Sequence, residues 1–300
     1  MNIAASSTDD PEPVTIGIDL GGTGTRVIAL DTEGVIRNQT TTPTPGRLSP
    51  ARAVPELVHT VTRMAAGLRL QGVGIGASGP VSPAGIIGNP ETLASYTGVP
   101  ITKIIGESLD VPCVIDIDAV TAAIGEYRYG AGRGSDALLV ITLGTGIGVA
   151  ILIRGAPLRA ADGTHPEAGH ISVSGPAAPC YCGLRTCWEQ LASRTALGRL
   201  TDGRTEEVAR RAHRGDPSAT ELFNRYGEHV GAGLATLLTI YKPDRVVIGG
   251  GAAQYLDLFQ AALRQSLKRS VEYAWTPAFL PAQLGNVAGA VGAAVISRPG

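Results

Sequence analysis

The sequence reads as strands and helices in alternation, an α/β pattern, and three observations organise it. Apolar runs that end in glycine turns alternate along the chain with amphipathic stretches of helical period. One strand–glycine–strand unit, VTIGIDLGGTGTRVIAL, has a counterpart of similar build well apart in the chain, ALLVITLGTGIGVAILIR, as an internal duplication would leave. The third is a cysteine–histidine stretch from Gly163 to Glu189 that holds three of the four cysteines. At 300 residues the chain suits two lobes, or one large domain.

Bulk composition narrows the partners. Hydrophobic residues at 44% and charged residues at 17% fit a soluble globular protein, and a net charge of −1 leaves no basic face for a nucleic acid. No apolar run has the length of a membrane span, and residues 1–13 (MNIAASSTDDPEP) lack a signal peptide's apolar core, so they read as a short disordered tail. Few cysteines, three of them explained by a metal, point to a reducing compartment and hence the cytoplasm.

The first unit begins at Val14 as consecutive antiparallel strands, with Asp31–Gly34 (DTEG) as a second turn. Gly21 and Gly22 are expected to adopt backbone conformations barred to other residues, so that amides can approach an anion. Thr23 and Thr25 add hydroxyls, Arg26 a charge partner, and Asp19 a carboxylate at the strand's end; a plain β-turn is the alternative. Val54, Leu57, Val61 and Met64 mark an amphipathic helix within residues 51–69. A strand, a Gly/Ser/Pro loop over 77–83 and a short hairpin follow, with Ser78, Gly79 and Asn89 as ligand-facing candidates or plain turn residues. Pro112–Ile117 reads as a buried strand that delivers Asp118 to an Ala-rich helix ending near Tyr129. By itself Asp118 reads as that helix's N-cap.

Gly144-Thr145-Gly146 repeats the glycine turn between two further strands. A helical region over 193–214 breaks near Asp202-Gly203, and Asp216-Pro217 opens a long helix that Lys242-Pro243 ends. RVVIGGGAA is a strand running into Gly249-Gly250-Gly251, which either meet a nucleotide or pack tightly; a small-residue helix closes the chain.

Cys180, Cys182 and Cys187, with His170 ten residues before the first, form the ligand set of a closed structural zinc site. Such a site has no open position for a water, so its expected role is to clamp the loop of Glu167 against the segment of Glu189. A disulfide with spare thiols is the alternative, but cysteines one residue apart are poorly spaced for a bridge.

The ordered set DLGGTGTR, an Asp at a strand-to-helix junction, LGTGIG, EAGH, CYCGLRTCWE and VVIGGG resembles the ROK family of sugar kinases and repressors, over about Val14 to Ile296. The resemblance implies the two-lobed actin-like ATPase fold of actin, hexokinase and Hsp70, with ATP in the cleft between two α/β lobes. It implies an N-terminal lobe over 14–117 completed by the C-terminal helix at 286–299, and a C-terminal lobe over 118–285 carrying the zinc loop. Asp19, Gly21, Gly22, Thr23, Gly24, Thr25 and Arg26, with Gly144, Thr145 and Gly146, would be the phosphate hairpins. Gly249, Gly250 and Gly251 would approach the adenosine, and Asp19 would hold Mg²⁺ through water. Asp118 becomes the general base, cap or not. Ser78, Gly79, Asn89, Ile117, Glu167, His170 and Glu189 would line the sugar site, His170 also ligating zinc. A homodimer or tetramer is implied as well.

Departures from the family pattern bear on the substrate. Ile117 and Val120 stand where Asn is common, Gly24 replaces Lys or Asn, and Pro166 and Thr186 replace glycines. Without the amide at position 117 a glucose site would leave a hydroxyl unpaired at about 1–3 kcal/mol, which suggests a modified sugar or C7 cyclitol, or compensation by Asp116. Against a kinase stands a sugar-sensing regulator; repressors of the family carry an N-terminal helix-turn-helix, for which the residues before the first strand are too few.

Overall fold

The computed structural model describes residues 10–46, 48–175, 177–270 and 277–299. The first nine residues of the expected tail lie outside the described residues. The chain divides into two compact units. One runs to Ile117 and takes back Ala293 and the residues after it; the other runs from Asp118 to Gly292.

In the first unit, β1 (Pro13–Leu20), β2 (Gly24–Asp31), β3 (Ile36–Pro43), β4 (Arg69–Ala77) and β5 (Cys113–Ile117) form one sheet in the order β3-β2-β1-β4-β5. The first three strands are antiparallel neighbours, whereas β4 runs parallel to β1 and β5 parallel to β4. β1 is a near-continuous run of buried residues, as expected of a strand covered on both faces. Helix α1 (Pro50–Met64) opens on a proline and buries Val54, Leu57 and Val61, the stripe its period predicts. Helix α2 (Ile101–Leu109), absent from the sequence reading, buries Ile101 and Ile105, one turn apart. These side chains close a core with Ile16, Ile18, Val73 and Ile75.

The second unit repeats the plan. Its sheet contains β6 (Ala137–Leu143), β7 (Ile147–Ile153), β8 (Ala156–Pro157), β9 (Arg245–Gly249) and β10 (Ala278–Pro281) in the order β10-β9-β6-β7-β8. Read from β8 to β10, it has the first sheet's order: three antiparallel neighbours, then two strands parallel to the hairpin's first strand. The two glycine turns therefore occupy equivalent places, each joining the central strand of its sheet to the next.

Helices α3 (Asp118–Tyr129), α4 (Glu189–Ala192), α5 (Arg194–Leu200), α6 (Thr205–His213), α7 (Pro217–Tyr241), α8 (Leu256–Ser270) and α9 (Ala288–Ile296) complete the molecule. Asp216 caps α7 by accepting the Ser218 and Ala219 amides, and Lys242 ends it in the left-handed region. Gly125 on α3 and Gly292 on α9 allow a backbone-to-backbone crossing, since a Cβ on either would overlap a carbonyl oxygen of the other helix. Glu126, wholly buried, accepts the amides of Ala131, Gln283 and Leu284, fixing the approach to α9. No helix among the described residues is long and apolar enough to cross a membrane.

Candidate active site

The first glycine turn is held by a bond from the Gly21 amide to the Gly24 carbonyl, 3.1 Å, and leaves Gly22 and Thr23 exposed. Neither Gly21 nor Gly22 has a positive φ, contrary to the sequence expectation. Room is the reason for glycine here: a Cβ on Gly22 would overlap the Thr92 methyl. Thr25 also differs from expectation. Strand alternation turns it inward, 2% exposed, where its hydroxyl pairs with that of Thr44 at 2.9 Å, and Thr44 in turn donates to the Gly21 carbonyl.

Asp19 and Arg26 face each other across β1 and β2, with 3.7 Å between carboxylate and guanidinium. Burial pushes the Asp19 carboxyl up to about 6, and the Arg26 charge offsets only part of that. A carboxylate so under-compensated suits a cation.

In the same unit Asn89 staples two loops. Its amide donates to the Ser78 carbonyl at 3.0 Å, and its side-chain oxygen accepts the amide of Thr92, the residue over Gly22. Gly79 lies against the Asn89 side chain at φ +86°, where only glycine fits without strain. Ile117 ends β5 at 6% exposure and Val120 is wholly buried, so neither replaces the hydrogen-bonding capacity of an asparagine.

Asp118 opens α3 and remains partly exposed; its Oδ1 accepts the Ala119 amide at 2.7 Å. Asp116 likewise accepts the Ile117 amide at 2.8 Å.

In the second unit, Gly144–Gly146 is closed by the Gly144 amide on the Gly146 carbonyl at 3.0 Å, leaving Thr145 exposed. The next amide, Ile147, donates to Oε2 of Glu189 at 3.0 Å, and a Cβ on Gly146 would overlap that carboxylate. Gly250, at φ +83°, lies against the Leu143 backbone, and Gly251 against the Arg194 side chain. The Arg194 amide donates to the Gly144 carbonyl at 2.8 Å. Tight packing thus accounts for Gly250 whatever else the segment touches. A Cβ on Gly249 would come within 3.2 Å of that of Ala282, a tight contact in which one of the two would have to give.

The cysteine–histidine stretch folds into one cluster. The ligand atoms of His170, Cys180, Cys182 and Cys187 all lie within 4.8 Å of one another. His170 Nδ1 sits 3.3 Å from the Cys187 sulfur and 3.6 Å from that of Cys180. Zinc bonds of about 2.0 Å to nitrogen and about 2.3 Å to sulfur, at a tetrahedral angle, would put those atoms about 3.5 Å apart. The residues therefore fit a four-ligand zinc ion. Burial pushes the Cys187 thiol up to about 12 in the metal-free chain, so ligation would release protons.

Backbone bonds tie the two ends of the stretch together: Trp188 to Ile171 at 2.9 Å, Val173 to Thr186 at 2.8 Å, and a bridge between Ser172 and Cys187. The Thr186 hydroxyl, where the family has glycine, pairs with that of Ser172 at 2.6 Å.

Nε2 of His170 is 3.9 Å from Glu189 Oε2 and bonds the Tyr181 phenol at 2.8 Å. Glu167 begins the short turn into His170, its carbonyl accepting the His170 amide at 3.0 Å, and its side chain is exposed and makes no cap bond. Sequence reasoning missed Tyr181, Thr92, Arg194 and Trp188. The wholly buried Trp188 lies over Gly233 of α7 and donates from its indole to the His229 carbonyl at 2.9 Å.

Comparison with known proteins agrees with this arrangement. The family model described as "ROK family" matches residues 15–299. A glucokinase of Streptomyces coelicolor is 33% identical, the match covering 95% of this chain and 98% of the relative. A crystal structure of a ROK family glucokinase from Streptomyces griseus, in complex with glucose and AMPPNP, is 33% identical with a TM-score of 0.80, over 96% of this chain and 100% of that one. A ROK hexokinase from Thermus thermophilus is 32% identical with a TM-score of 0.80, over 95% and 97%. The paired five-stranded sheets are those of the actin-like ATPase fold, and with the family model matching nearly end to end, the chain belongs to the ROK family.

Proposed function

We propose that the protein is an ATP-dependent kinase that phosphorylates a primary hydroxyl of a hexose or hexose-like sugar. The observation that carries this reading is Glu189, bonded to the amide that follows the second glycine turn and 3.9 Å from His170. One carboxylate thereby links a phosphate-type hairpin to a cluster of groups suited to adjacent sugar hydroxyls. Carboxylates accept from hydroxyls, and an imidazole N–H donates to them.

The roles follow from the chemistry. Asp118 takes the proton of the attacking hydroxyl as its oxygen bonds the γ-phosphorus and the bond to the β-phosphate oxygen breaks, releasing ADP. Glu167, His170 and Glu189 hold the sugar. The turns at Gly21–Thr23 and Gly144–Gly146 would supply amides to the phosphates, and Asp19 would help to hold a Mg²⁺ ion that offsets their charge. His170, Cys180, Cys182 and Cys187 would hold a zinc ion that takes no part in the chemistry.

Glucose is the first substrate to test, given the glucokinases among the relatives. Ile117 favours a second reading, a modified sugar or a C7 cyclitol, because its buried side chain offers no hydrogen bond. An ADP-release assay over hexoses, deoxy sugars, N-acetyl hexosamines and cyclitols separates them. Asp118→Asn is expected to lower kcat on the accepted substrate by about 10²–10⁴-fold. Turnover that survives this substitution would remove Asp118 as the base, and sugar binding without any turnover would favour a sensor.

A further inference from the structure

Tyr181 stands between two of the clustered cysteines, and its side chain is 81% exposed. An aromatic ring in that position gains little from burial, so something else fixes it. Two contacts do. The phenol oxygen lies 2.8 Å from His170 Nε2, and the ring meets the imidazole edge-on, centroids 4.9 Å apart and planes at 79°.

The direction of that hydrogen bond follows from the other nitrogen. Nδ1 points at the sulfurs of Cys187 and Cys180, so as a metal ligand it presents its lone pair and the ring proton resides on Nε2. Nε2–H donates, and the Tyr181 oxygen accepts. Glu189 Oε2, at 3.9 Å, is too far to accept the same proton.

We propose that the Tyr181 phenol is an internal cap on His170, occupying the Nε2–H that a sugar hydroxyl would otherwise accept, so that the sugar must displace it. This rests on the kinase reading above, with His170 in the sugar site. A hydroxyl oxygen about 2.8 Å from both Nε2 and Glu189 Oε2 fits a gap of 3.9 Å. It could accept from the imidazole and donate to the carboxylate, which the phenol does not do at its present position. Because the ring is exposed, it can swing out without opening the core. The capped state lowers apparent affinity by the fraction of molecules that remain uncapped. For one exposed hydrogen bond, that is about two- to tenfold.

The test compares the zinc-loaded protein with Tyr181→Phe, after metal analysis shows equal zinc in both. Phenylalanine keeps the edge contact and removes the acceptor. Sugar KM and the calorimetric Kd are expected to fall about two- to tenfold with kcat little changed. The His170 Nε2 proton, followed by NMR, is expected to exchange with water faster in the variant. Unchanged exchange would remove the cap. A KM that stayed the same or rose would overturn the competition, a rise making Tyr181 a sugar contact instead. If the wild type turned over no sugar while the exchange difference persisted, the kinase reading would fall and the competition with it, leaving a phenol–imidazole contact alone.

Discussion

Asp19 is paid for in stability. Its carboxyl titrates near 6 in the folded chain against about 3.8 when unfolded, so the folded state favours the protonated form. The sign follows: stability is full below the unfolded value and is lost as pH rises through 6. At pH 8 the ionised, partly buried carboxylate costs on the order of 1–3 kcal/mol. Asp19→Asn is therefore expected to raise the melting temperature of the ligand-free protein at pH 8, the advantage shrinking between pH 6 and pH 4. The same substitution should weaken Mg-ATP binding if Asp19 anchors the cation as proposed. A variant less stable than wild type at pH 8 would show that the Arg26 pair outweighs desolvation. Wild-type nucleotide affinity should likewise fall as pH drops through about 6, as protons compete with the cation.

The cysteine–histidine loop takes its position from α7, through Trp188 between Cys187 and Glu189. The indole occupies the space left by the missing side chain of Gly233, and its N–H satisfies the His229 carbonyl. Gly233→Ala would push Trp188 off this seat, and since overpacking in a close-packed core costs about 1–3 kcal/mol, the melting temperature should fall. Sugar KM should rise with it, because Glu189 follows Trp188 directly. Stability lost with KM unchanged would mean that the loop moves independently of its anchor. Much of the fold was legible in the sequence because its signals are local: apolar runs, glycine turns, the Asp216 cap and the cysteine spacing. What was missed joins residues far apart in the chain. The hairpin glycines were assigned to backbone freedom because Thr92, which crowds Gly22, shares no motif with it. Trp188 on Gly233 and Tyr181 on His170 follow no period, and α2 is a short helix with glycine inside.

At the scale of the whole molecule, one sheet plan occurs twice, and among the described residues the cysteine–histidine cluster lies in the second copy. Each unit has its own core, one around Ile16, Ile18 and Ile75, the other around Trp188, Phe223 and Tyr226. A zinc ion would add to the stability of the second by binding a set of ligands that the unfolded chain does not hold together. Four donors leave no coordination position free, so the effect of removing it should be mechanical. Chelation at neutral pH is expected to speed amide hydrogen exchange over residues 167–190, which include the bonded amides of Val173 and Trp188. The Ile147 amide should exchange faster too, since Glu189, its acceptor, is released with the loop. Amides of β1 and β2, in the other unit, should keep their protection. Sugar affinity should fall on chelation and return when zinc is restored. Exchange that quickened equally in β1 would mean that the metal supports the whole chain, while unaltered exchange over 167–190 would show that hydrogen bonds and Trp188 hold the loop by themselves.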